Sequence, residues 1–147
     1  MKDDTIPILF LYNLEASVSK EITDLVIKKA KDSQQQAYAP YSTFHVGAAV
    51  ATNDQQLFGG CNIESASYGL TICAERVAIF SAVAQGYRNF THLALVSNSS
   101  AYPCGACRQI IFEFCPKASI IIVTQNGIVE TNSQELLPHG FGKEDIT

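Results

Sequence analysis

The sequence predicts an α/β fold of three layers, α-β-α, built on a mixed, roughly five-stranded central sheet. Three observations predict it: apolar strand-like runs alternate with segments of helical period, two hairpin signals reverse the chain, and 147 residues that are 47% hydrophobic match one compact domain. Alternation calls for a single sheet with helices on its faces. The hairpins make that sheet mixed rather than purely parallel.

Residues 1–17 form an N-terminal extension of no assigned role, and a single domain follows from 18 to 147. The domain opens with SKEITDLVIKKAKDSQQQAY, where Ile22, Leu25, Val26 and Ala30 recur at helical spacing with charges opposite. Ala39 and Pro40 are its stop signal. FHVGAAVA (44–51) and LFGGCN (57–62) read as two strands joined by the turn NDQQ. After a small, flexible stretch at 65–69, a second helix runs from about Cys73 to Gln85, with Gly86 as its stop. HLALVS (92–97) is a buried strand, SNSSAYP a polar loop, and GACRQIIFEF a third helix ended by Pro116. SIIIVT (119–124) is a further apolar strand, which Asn126 and Gly127 turn back into IVET.

The formal charge of −4, with Arg76 the lone Lys or Arg between Lys31 and Arg88, leaves no basic footprint for nucleic acid. The apolar run IPILFLYNL is too short to span a membrane, and Asp3 and Asp4 spoil a signal-peptide n-region. The expectation is a soluble, cytoplasmic protein. In such a chain five cysteines are ligands, nucleophiles or core residues before they are disulfide partners.

Both central helices begin directly after a cysteine-bearing loop, which places Cys73 and Cys104 together at one end of the layers if the helices run side by side. Cys104 and Cys107, three apart in a first helical turn, share a face with Cβ atoms roughly 5–6 Å apart. A tetrahedral zinc with Zn–S of ~2.3 Å holds its sulfurs roughly 3.8 Å from one another, a spacing such a pair reaches by rotamer choice. Cys73 is the natural third ligand, at a helix start where free N–H groups favour a thiolate. Cys115 lies roughly 12 Å further along its helix and cannot share the ion. Cys61, at a strand end, reads as a reduced buried thiol. Three protein ligands leave a position for water, the arrangement of catalytic zinc.

A carboxylate beside metal-held water can take its proton and deliver it elsewhere, which is the role open to Glu75 if Cys73 sits at the helix edge with non-helical dihedrals. Its competing reading is a solvated first-turn glutamate. Three thiolates on Zn²⁺ leave about −1 of charge, and Arg76, hydrogen-bonded to a ligand sulfur, would withdraw some of it. The competing reading of Arg76 is a surface cation.

With CAE at 73–75 and PCGAC at 103–107, the sequence resembles the zinc-dependent nucleoside deaminases, with cysteine in place of the histidine of their HxE…PCxxC signature. AYAPYSTFHVGAAV, GCNIESASYGLTICAER, PCGACRQIIFEFCP and ELLPHGF look in the same order like the small cytidine deaminases, in their three-cysteine, homotetrameric branch, over roughly residues 20–142. The resemblance implies one zinc per chain on Cys73, Cys104 and Cys107, with Glu75 as proton shuttle. It implies Asn62 and Glu64 as the ribose-binding pair, Phe44 against the pyrimidine, and the Ala74 N–H and the Gln109 side chain in support, the latter orienting Arg76. Phe141 corresponds to an aromatic that closes a neighbouring subunit's pocket and Tyr68 to a residue near the subunit contacts. His45, His92 and His139 match no ligand.

The implied activity is hydrolytic deamination of cytidine and 2′-deoxycytidine to the uridine nucleosides and ammonia, with a nucleoside as small-molecule partner. Within enzymes the rival is a deaminase of another aminopyrimidine nucleoside; outside them it is a zinc-stabilised binding module with a closed four-ligand site and no task for Glu75. Ser65 where asparagine is usual, a loop about two residues short before Pro103, and the HGF ending depart from the pattern at the pocket rim.

Overall fold

The computed structural model describes residues 8–146; residues 1–7 of the expected extension lie outside the described residues. The chain runs α1 (Ile8–Gln34), β1 (Val46–Thr52), β2 (Leu57–Cys61), α2 (Ala74–Ala84), β3 (Phe90–Ser97), α3 (Gly105–Phe114), β4 (Ser119–Thr124), β5 (Gly127–Thr131) and α4 (Ser133–Leu136). The sheet order is β2-β1-β3-β4-β5. β1 pairs antiparallel with β2 and β3, β3 pairs parallel with β4 through the α3 crossover, and β5 closes the edge antiparallel to β4. The mixed five-stranded sheet and its two hairpins are as the sequence predicts.

Strand alternation sorts the core into two sides. Ala49, Ala51, Ala94, Val96 and Ile121 face α1, where Ile22, Val26, Ile27 and Ala30 are buried. On the opposite face Val50, Leu93 and Ile120 pack under Ile79 and Ala82 of α2 and Ile111 of α3. Helices thus cover both faces and complete the α-β-α layering. Among the described residues no helix is long and apolar enough to cross a membrane.

Three boundaries differ from expectation. α1 is helical from Ile8, the first described residue, rather than from near residue 18, since no Gly or Pro interrupts 8–34. It ends at Gln34, well before Pro40, because the chain leaves through a turn closed by Gln36 N–H to Ser33 O (3.0 Å) and then bridges Tyr38 to Ile63. Leu25, expected in the buried stripe, is 42% exposed, about 100° round the helix from Val26, and Ile27 holds the inner position. The final hairpin centres on Gln125 and Asn126, and Gly127, at φ +128, follows as the first strand residue.

Small residues bring helices close to the sheet where the chemistry is placed. A Cβ on Gly60 would stand 2.4 Å from the Ala78 nitrogen and 2.5 Å from the Ala74 oxygen, so α2 rests its first turns directly on β2.

Candidate active site

The two helix starts carry the predicted cysteines as N-caps. Cys73 (φ −79, ψ 155) and Cys104 (φ −67, ψ 168) are extended, so each side chain swings off the end of its helix. Their sulfurs are 3.8 Å apart, and those of Cys73, Cys104 and Cys107 all lie within 4.8 Å of one another. That matches the roughly 3.8 Å edge of a tetrahedron of sulfurs about zinc, so the donor set fits the ion. Cys61 Sγ turns instead to the Gln36 carbonyl (3.3 Å), and Cys115 is fully buried in the core, its thiol pushed up to about 12 by burial. Neither joins the group, so the cluster is of three donors.

Of the pair Cys73 and Cys107, the first is drawn toward the thiolate and the second toward keeping its proton. The hydrogen bond from Cys107, and then that from Arg76, draw the Cys73 thiol down to about 5, while the same bond to Cys73 and burial push Cys107 up. A metal ion displacing that proton is held by thiolates. Arg76 Nη2 donates to Cys73 Sγ at 3.5 Å.

The extended Cys73 lets Glu75, two residues on, face the same space. Glu75 is 4% exposed and lines a cavity of about 260 Å³ together with Cys73, Ala74 and Cys104. Burial raises its pKa first of all, the charge of Cys73 adds to this, and its own backbone N–H opposes it.

The far end of the cavity is built by residues 62–64, an extended segment held on both sides. Tyr38 N–H donates to Asn62 O (3.0 Å) and Glu64 N–H to Tyr38 O (2.8 Å), while Ile63 and Ile72 exchange two bonds of 3.0 Å. Asn62 and Glu64 therefore share the side facing the cavity and Ile63 points away, 43% exposed. The Asn62 amide accepts from Val46 N–H (2.9 Å) and donates to Phe44 O (2.7 Å). Phe44 walls the cavity and packs on Val46, Ala48, Ala74, Ala78 and Leu95.

A family model described as the cytidine and deoxycytidylate deaminase zinc-binding region matches residues 20–123. The chain belongs to the cytidine and deoxycytidylate deaminase family. A cytidine deaminase of Sporosarcina psychrophila is 45% identical over 126 residues, covering 83% of this chain and 93% of that one. The blasticidin-S deaminase of Bacillus cereus is 32% identical over 64% of this chain and 74% of its own length. The 1.6 Å crystal structure of cytidine deaminase from Burkholderia pseudomallei superposes with a TM-score of 0.76 at 46% identity, over 80% of this chain and 98% of that one.

Within this deaminase chain, three expected residues stand apart from the cavity. Tyr68 is 72% exposed and lines an adjoining recess with Tyr41, its ring centroid 5.5 Å away. Phe141 is exposed on the C-terminal segment. Gln109, expected to orient Arg76, donates to the Phe141 carbonyl at 2.8 Å instead, because the C-terminal segment folds back on α3. Ser42, Leu95, Ser97 and Tyr102 also wall the cavity. They belong to no chemical motif, and only their place beside strand ends marks them.

Proposed function

We propose that the chain is a zinc-dependent cytidine deaminase, catalysing cytidine or 2′-deoxycytidine plus water to the uridine nucleoside plus ammonia, with residues 18–147 as its single domain. The observation that carries it is the Glu75 carboxylate, buried beside the three-sulfur cluster and open to the same apolar-walled cavity.

Cys73, Cys104 and Cys107 would hold zinc, which when bound acidifies water and polarises it for attack. Glu75, held in low dielectric, would accept one proton of the attacking water and deliver it to N3 of the base; the other, left on the new C4 hydroxyl, would pass by the same carboxylate to the amino nitrogen, which leaves C4 as ammonia. Its raised pKa suits a group that must both take and give a proton near neutrality. The Ala74 N–H, at the first turn of α2, has no partner within the helix and is free to donate to a carbonyl oxygen of the base. Phe44 walls the base, and Asn62 and Glu64 bind sugar hydroxyls with the hydrogen-bonding capacity left to them.

Among the described residues no Lys or Arg lines the cavity, which favours a nucleoside over a nucleotide. Arg88 caps the end of α2 at Val83 O, and Arg108 ties Pro103 O to Leu136 O. A homotetramer completes the reading: Tyr68, Leu70 and Phe141 are 72%, 76% and 59% exposed, surface that a second copy of the chain would cover.

Glu75→Gln tests the mechanism. The variant should retain zinc and fold while turnover of cytidine, followed by ultraviolet absorbance, falls by about 10²–10⁴-fold. Full activity would remove Glu75 from the chemistry. No deamination of cytidine or deoxycytidine by zinc-loaded, unsubstituted protein would sink the reading as a whole.

A further inference from the structure

Ser42 lies where two hydrogen-bond systems meet. Its hydroxyl donates to Glu64 Oε1, while Ser42 Oγ itself accepts the Phe44 N–H at 3.1 Å. The N–H groups of Tyr41 (2.8 Å) and Ser42 (3.3 Å) donate to the other carboxylate oxygen, Glu64 Oε2. The Asn62 amide grips the next residues of the same segment, at Phe44 O and Val46 N–H. Phe44 thus has its N–H held by Ser42 and its carbonyl held by Asn62.

The turn that presents Ser42 is unusual. Thr43 has φ +57, a conformation that a β-branched residue rarely adopts, and it is fixed by its N–H to Ala39 O (3.0 Å) and its hydroxyl to Ser42 O (2.6 Å). Such a backbone persists where the surroundings over-determine it, and here those two bonds hold it between Ser42 and Phe44. A carboxylate offers about four acceptor positions, and three donors of this turn occupy Glu64. What remains is directional, and its direction is set by Ser42.

We propose that Ser42 is a positioning residue for substrate selection. Its hydroxyl aims Glu64 at a sugar hydroxyl, its oxygen fixes Phe44 against the base, and the two ends of the nucleoside are recognised by one interlocked unit. This rests on the deaminase reading and on the sugar-facing role of Glu64. Ser42 also borders both the main cavity and the recess beside Tyr68, at the junction where a sugar would sit.

The test compares steady-state kinetics of the zinc-replete full chain and of Ser42→Ala and Ser42→Thr, on cytidine and on 2′,3′-dideoxycytidine. Ser42→Ala should raise KM for cytidine about tenfold with kcat within about twofold, the loss expected for a hydrogen bond to a charged group. The KM penalty should shrink at least threefold on the dideoxynucleoside, which keeps only the 5′-hydroxyl, because the proposal has Glu64 aimed at the hydroxyls of the ring carbons C2′ and C3′. Ser42→Thr, which keeps the hydroxyl, should restore KM to within about threefold. An unchanged KM, an equal penalty on both substrates, a loss in kcat alone, or no rescue by threonine would overturn the proposal. So would a fall in zinc content or melting temperature that accounts for the kinetic loss, which would assign Ser42 to folding. Inactivity of the unsubstituted protein, read in the same assay, would instead overturn the deaminase reading beneath it.

Discussion

The Arg76 guanidinium reaches Cys73 Sγ at 3.5 Å, while its Nε is buried without a hydrogen-bond partner among the described residues. An arginine held this way acts as a charge directed at the sulfur rather than as a saturated structural fork. Against three thiolates and Zn²⁺, which sum to about −1, it would offset the excess that weakens the ion as a Lewis acid, which is the role we propose for it. Arg76→Ala should therefore lower zinc affinity or kcat/KM by about 10–100-fold, measured by competition with a chelator and by nucleoside kinetics. If both stay unchanged, Arg76 is only a surface cation. The grouping of Cys73, Glu75, Cys104 and Cys107 was legible in the sequence because metal chemistry restricts residue type and spacing, and an N-cap frees a side chain from helical geometry. The partner of Gln109 was not legible, since the Phe141 carbonyl it meets comes from a fold-back 32 residues on. Ser42 was hidden for the same reason: its hydroxyl finds its meaning only when residue 64 arrives on the segment that follows β2.

At the scale of elements, the placement of the site rests on close approaches between helix and sheet. Gly47 admits α1, since a Cβ there would stand 2.0 Å from Ala30 O, and Gly60 admits α2. Gly60→Ala should therefore push the first turns of α2 off β2, because the two nearest atoms that its Cβ would meet are backbone and cannot rotate aside. The cost expected of overpacking is about 1–3 kcal/mol. Because Cys73 and Glu75 ride on that turn, zinc content and kcat should fall beyond what the stability loss explains. A variant with full zinc and wild-type kcat would separate the site from this contact. Helical period and strand alternation made most elements readable, yet Leu25 shows the limit: adjacent apolar positions on α1 compete for one buried stripe, and only the sheet decides between Leu25 and Ile27. The end of α1 shows another, since the bridge from Tyr38 to Ile63 draws the chain out of the helix before Pro40 forces it to leave.

Across the whole molecule, the three cysteines join parts of the chain that the sheet alone connects only indirectly. α2 follows the β1–β2 hairpin and α3 crosses from β3 to β4, and the sulfurs meet between the two helix starts on one face of the sheet. An ion held there closes a loop of about 31 residues, from Cys73 to Cys104, and so stabilises the folded chain as well as serving the reaction. Linkage gives the size: at a free zinc concentration 100 times the dissociation constant, a ligand that binds only the folded state adds about 2.7 kcal/mol. At about 2–4 °C per kcal/mol for a chain of this size, stripping the ion should lower the melting temperature by roughly 5–11 °C. Calorimetry with and without a chelator measures it, and re-addition of zinc should restore the transition. Cys107→Ser, which removes the buried sulfur of the three, should bring the melting temperature down and make it nearly indifferent to the chelator. A melting temperature that ignores zinc in the unsubstituted protein would mean that the sheet and its two helical layers already hold Cys73 and Cys104 in place, leaving the ion to chemistry alone.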